Sequence, residues 1–206
     1  LKIGAGENRA IMPAANHLRR CRMPFGTLWM PVLASAAAVF LVSSVLHMAL
    51  RFHRADYKGF PNEDAAREGL GRGTLGPGQY VLPYCADMKA MSDPAMQEKY
   101  KKGPVAIVTL LPNGAPAMGK LLGLWFGFAV LVSFVAAYVA RHTLTPETDG
   151  MTVMRITGTV AFAGYFLGNV SDSIWKAQPW SNTARFLIDG LIYAVVTGLV
   201  FKLLWP

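Results

Sequence analysis

The chain has 206 residues, 53% of them hydrophobic and only 16% charged, with a formal net charge of +8. A water-soluble domain usually carries about 25% charged residues, so the composition argues against an ordinary soluble globule and for a small membrane protein. In such a chain the surplus Lys and Arg lie at the interfaces and meet anionic lipid, so the positive charge does not point to nucleic acid.

Residues 1–22, LKIGAGENRAIMPAANHLRRCR, are polar, unpatterned and basic at the end. They read as a disordered cytoplasmic arm or as an extension upstream of the true start at Met12 or Met23, and the extension is preferred. Residues 23–50 form the first predicted span. Trp29 stands at one interface, Arg51 and Arg54 at the other. Its apolar run is too long for the core of a signal peptide, and the span is read as a retained anchor.

Residues 51–118 are rich in Gly, Pro and charge and are predicted to form a small α+β extramembrane insert. Asn62 can cap a short helix over Glu63–Leu70 with acidic residues in its first turn. Gln79–Tyr84 reads as a strand. Ser92-Asp93-Pro94 opens a second helix that stops at Gly103-Pro104, and Val105–Leu111 is the clearest strand, ended by Pro112-Asn113-Gly114. The two strands are expected to pair.

The second span is residues 119–141. Its centre, LLGLWFGFAVLVSFVAAYVA, is twenty residues without a charge, which as a helix crosses about 30 Å, the thickness of a bilayer's hydrocarbon core. Residues 152–174 and 184–205 give spans three and four, each tipped by charge. The expected fold is therefore a mainly α membrane protein, a four-helix transmembrane bundle with the insert between spans one and two. Three spans is the rival count, should span four lie in the interface. Orientation is open. Arg19, Arg20 and Arg22 place the N-terminus inside, whereas a start at Met23 leaves the insert's own Lys and Arg to draw it into the cytoplasm.

Small residues recur every fourth position at Gly119, Gly123 and Gly127, at Gly164 and Gly168, and at Gly190, Ala194 and Gly198. In lipid such stripes bring helix backbones together, within one bundle or across a homo-oligomer seam. A polar group is expected where the spans meet the insert side of the membrane: His47, Arg51 and His53 after span one, Asp172 at the end of span three, Arg185 and Asp189 at the start of span four. Ionisable side chains within hydrocarbon are costly, which makes Asp189 the first candidate, then Asp172 and His47, for a proton-linked or ion-binding site. The plainer reading has them at headgroup depth, paired with Arg185, Lys176 and Arg51. His47 and His53 are six apart, which on one helix would turn them to different faces and prevent them from chelating one ion. No metal or cofactor is therefore assigned. Cys21 and Cys85 have no regular spacing and are read as unrelated thiols. HExxH, P-loop, GxSxG and dinucleotide fingerprints do not occur, so no enzyme is indicated.

An anchor ending in a His is followed by FPNEDA, GPGQYVLPYC, EKYKKGPVAIVTLLPNG, two central spans and a closing DGLIYAVVTGLVFKLLWP. This order resembles a family of uncharacterised bacterial four-span inner-membrane proteins, over residues 25–206. The resemblance implies a multi-pass protein of the bacterial inner (cytoplasmic) membrane and a start near Met23, and it implies no reaction or ligand. The expectation for function is a non-enzymatic accessory or interaction subunit whose insert meets a protein partner. The alternative is a small oligomeric transporter or channel using Asp189 and Asp172, and a weaker third reading is a metal or redox protein using His47, His53 and Cys85.

Overall fold

The structure is a computed structural model that describes residues 23–50, 52–73 and 75–206. Cys21, Arg51 and the arm 1–22 lie outside them. The chain is mainly helical and divides into two compact units, Ala55–Met118 and the remainder.

In the helical unit, α1 (Trp29–Ser44) continues into a π-turn, Val45–Ala49. A 3-10 turn follows at Phe52–Asp56. In the Ala55–Met118 unit, α2 is Glu63–Gly71, β1 Gly78–Leu82, α3 Pro94–Lys102 and β2 Ala106–Leu110. The helical unit resumes with α4 (Met118–Thr143) and α5 (Gly150–Phe162), a second π-turn (Ala163–Leu167), α6 (Gly168–Trp175) and α7 (Trp180–Leu203).

Local chemistry explains most of these boundaries. Asn62 accepts a hydrogen bond from the Ala65 amide and starts α2; Asp93 accepts from the Ala95 amide, and Pro94 occupies the first turn of α3, where a missing N–H costs nothing. Gly103 closes α3 at φ 60, a conformation that suits glycine. The two strands pair antiparallel with Tyr80 opposite Val108, both half-buried on one side of the ribbon. Asp149 caps α5 by accepting from the Met151 and Thr152 amides, and its carboxyl is held below the usual carboxylate range by the Thr152 side chain first, then by the Thr152 and Met151 amides.

Among the described residues three helical segments are long and apolar enough to cross a membrane: Trp29–Ala49, Met118–Thr143 and Trp180–Leu203. The third predicted span is also helical, from Gly150 to Trp175, but it does not join them. Arg155, Asn169 and Asp172 dilute its hydropathy, so three candidate membrane helices are shown where four spans were expected. Only 28% of the apolar window of α4 is buried, with Leu124 and Leu131 largely uncovered. A helix apolar on every side and left bare suits a lipid environment.

Two core clusters tie the helices together. Leu28 and Val32 pack with Ala136, Ala137, Val153 and Phe201. Val39 packs with Val132, Ala161, Tyr165 and Tyr193. The start of α1 thus meets the ends of α4 and α7, so α1 runs antiparallel to both. The buried hydroxyls of Ser35 and Ser133, 2.9 Å apart, join α1 to α4. The closest backbone approach is between α5 and α7. A Cβ at Gly198 would stand 2.7 Å from the Met154 carbonyl oxygen, and one at Gly158 3.1 Å from that of Ala194.

Candidate functional site

Asp189 is the tenth residue of α7, about 14 Å along a 24-residue apolar helix, and is 4% exposed. A carboxylate so placed is costly unless partners hold it. His53 Nε2 lies 2.8 Å from Asp189 Oδ2, and His47 Nε2 lies 3.9 Å from the same oxygen. The two imidazoles are stacked, with centroids 4.4 Å apart and planes 7° from parallel. His53 is held on its other sides by Phe186 at 5.7 Å and by Phe52 edge-on at 4.8 Å.

This convergence overturns the inference that His47 and His53 cannot serve one ion. They are six apart in sequence, but the described residues between them do not continue one α-helix. The α-helix gives way at Val45 to a π-turn, closed by the Leu50 amide on the Val45 carbonyl, and the 3-10 turn at Phe52–Asp56 then folds His53 back over His47. His47, His53 and Asp189 offer three donor atoms within 4.8 Å of one another, so the assignment of no metal-binding group gives way to a cluster able to hold one.

Ser43 supports the cluster from below. Its carbonyl accepts from His47 Nδ1 at 3.0 Å, which leaves Nε2 to face Asp189. Its hydroxyl accepts from Trp125 Nε1 at 2.8 Å and donates to the Phe40 carbonyl. Trp125, Tyr165 and Tyr193 form an aromatic triangle under this node with centroids 5.3 to 6.1 Å apart, Tyr165 being carried on the second π-turn. The Tyr165 hydroxyl is buried with no hydrogen-bond partner among the described residues. Pattern reading missed Ser43, Trp125, Tyr165 and Tyr193. The available signal was polar tips inside otherwise apolar runs, because an indole N–H or phenol O–H in hydrocarbon needs an acceptor or donor nearby.

The other candidates are placed elsewhere. Asp172 pairs with Lys176 on its own helix at 2.8 Å, with both side chains partly exposed. Arg185 donates to the Ser181 carbonyl at 3.3 Å. Cys85 donates to the Asp87 carbonyl within the Ala55–Met118 unit. Arg51 falls outside the described residues. Of the small-residue stripes, Gly190 approaches Phe166, where a Cβ would stand 2.7 Å from that side chain, and Gly164 abuts Val132. Ala194 is buried. Gly119, Gly123, Gly127 and Gly168 face open space.

No family model, curated protein or solved structure matches the chain. Function is therefore argued from the cluster itself.

Proposed function

We propose that this chain is an integral protein of a bacterial inner membrane, with Gly150–Trp175 as a fourth span, and that it works without catalysis by binding a small cation at the Asp189 centre. The observation that carries the reading is the buried Asp189 carboxylate, set within an apolar helix and converged on by two stacked imidazoles. His47 Nε2, His53 Nε2 and Asp189 Oδ2 converge on one point at a buried carboxylate, and a cation that displaces the proton shared by His53 and Asp189 can be held by all three. The Ala55–Met118 unit is then the extramembrane part, available to a protein partner, and the protein serves as a cation-responsive accessory subunit.

The test is thermal unfolding of the full chain in detergent at constant ionic strength across Na⁺, K⁺, Mg²⁺, Ca²⁺ and Zn²⁺. At least one of these should raise the midpoint of the wild type and leave Asp189→Asn unmoved, because a ligand that binds only the folded state stabilises it by mass action. A variant that responds to every cation as the wild type does would overturn the reading. A transport role is the second reading, favoured by the depth of Asp189 along α7. Cation flux into proteoliposomes that is lost in Asp189→Asn supports it; binding without flux leaves the accessory role.

A further inference from the structure

We infer that His47, His53 and Asp189 form a site for a single divalent transition-metal ion of the zinc class, held by His47 Nε2, His53 Nε2 and Asp189 Oδ2. The inference rests on the reading of Asp189 as a cation centre and names the ion.

The donor set comes first. Two imidazole nitrogens and one carboxylate oxygen suit Zn²⁺ and its borderline neighbours, whereas Ca²⁺ and Mg²⁺ take shells of oxygen. Three protein ligands leave a fourth coordination position open to water, unlike the closed four-ligand set of a structural zinc site. His47 is the ligand on the open side, its side chain 44% exposed, while the Asp189 side chain at 5% is the dehydrated inner ligand. An ion can enter past His47 and meet its charge partner within.

The aim of His47 is the second and independent observation. The Ser43 carbonyl can only accept, so Nδ1 donates to it and is the fixed nitrogen, and Nε2 is the atom turned towards Asp189 Oδ2 at 3.9 Å, beyond hydrogen-bond reach. Metal-binding histidines are held in this way, the far nitrogen donating to a backbone carbonyl so that the near one is bare and correctly aimed. Ser43 is fixed in turn by Trp125, so the supporting shell reaches a second helix.

The distances fit after small movements. Ligand atoms on a tetrahedral ion at 2.0–2.2 Å lie about 3.4 Å apart. His53 Nε2 and Asp189 Oδ2, now 2.8 Å apart, must open by about 0.6 Å, and His47 Nε2 must close on that oxygen by about 0.5 Å. The parallel rings must also tilt towards one another.

The experiment uses the full chain in detergent, stripped with a chelator and titrated with Co²⁺ as a coloured substitute for Zn²⁺. One equivalent should bind with a visible ligand-field band, and Zn²⁺ should displace it. His47→Ala, at a largely exposed position, should keep the fold by gel filtration and Trp fluorescence yet weaken Co²⁺ binding by at least about 100-fold, since even outer-shell changes cost 10–100-fold. Asp189→Asn should do the same, while His142→Ala and Cys85→Ser should bind as the wild type does. Binding that survives in both His47→Ala and Asp189→Asn, or no binding at all, would overturn the inference. Failure here together with an Asp189-dependent response to Na⁺, K⁺, Mg²⁺ or Ca²⁺ refutes the transition metal but keeps the cation centre. Absence of any Asp189-dependent response refutes both.

Discussion

The contact between His53 and Asp189 can be tested as a charge-assisted hydrogen bond inside the helical unit by a double-mutant cycle. His53→Ala removes the hydrogen bond, the stack on His47 and the contact with Phe186 together, whereas Asp189→Asn keeps the shape and removes the charge. The cycle cancels the stacking and leaves the coupling between the two side chains. Both are largely sequestered, with 13% and 5% of their side chains exposed, so solvent screening is weak. A hydrogen bond to a charged group contributes about 1.5–3 kcal/mol, whereas hydrogen bonds between membrane helices average about 0.6 kcal/mol. The coupling should therefore exceed 1 kcal/mol by a clear margin, and about 2 kcal/mol is expected. At about 2–4 °C per kcal/mol for a chain of this length, that is a departure from additivity of about 4–8 °C in the unfolding midpoint. The assay is Trp fluorescence on heating in detergent with chelator present, so that no metal adds to the folded state. Midpoint shifts that add to within about 0.5 kcal/mol would refute a charge-assisted hydrogen bond and reduce the contact to ordinary packing.

Two further predictions address the scaffold. Gly198→Ala drives a Cβ to 2.7 Å from the Met154 carbonyl oxygen, which is backbone and cannot rotate away, so it should lose about 1–3 kcal/mol, while Gly123→Ala, with nothing within 4 Å, should lose no packing energy; equal midpoints for the two would refute the close α5–α7 seam. The Asp149 cap predicts a dependence on acid. Its carboxyl is held below the ordinary 3.8, so its contribution is present above that pH and fades as pH falls through the lowered folded value. Wild type should lose stability relative to Asp149→Asn below about pH 4, and parallel pH profiles would refute it.

Much of the helical and strand layout was legible in the sequence because local chemistry fixes it. Asn62, Asp93 with Pro94, and Gly103 mark ends through their own hydrogen bonds or backbone preference, and the uncharged run 121–140 leaves little alternative to a long helix. Asp189 was legible as well, since a carboxylate in an apolar helix demands an account. Its partners were not. VLHMA contains neither Gly nor Pro, so nothing in its composition announces that the helix loses its α register there, and the spacing of His47 and His53 was judged on a periodicity the chain abandons. The glycine stripes divide for a different reason. A stripe against another helix of the chain and a stripe facing outward read alike in one dimension, and only the structure separates Gly123 from Gly198.

The π-turn at Val45–Ala49 gives the cluster an unusual weakness. Such a turn houses one residue more than an α-turn, so the chain that follows is out of phase with the helix before it. Deleting any one of those five residues would let the ladder close as α, turning all that follows by about 100° and drawing it in by about 1.5 Å. Hydropathy and span length would hardly change, yet loss of Val45 or Leu46 would swing the His47 ring away from α7, and loss of Met48 or Ala49 would carry His53 off instead. The site is thus keyed to a residue count, tolerant of many exchanges within VLHMA and intolerant of losing a single position there.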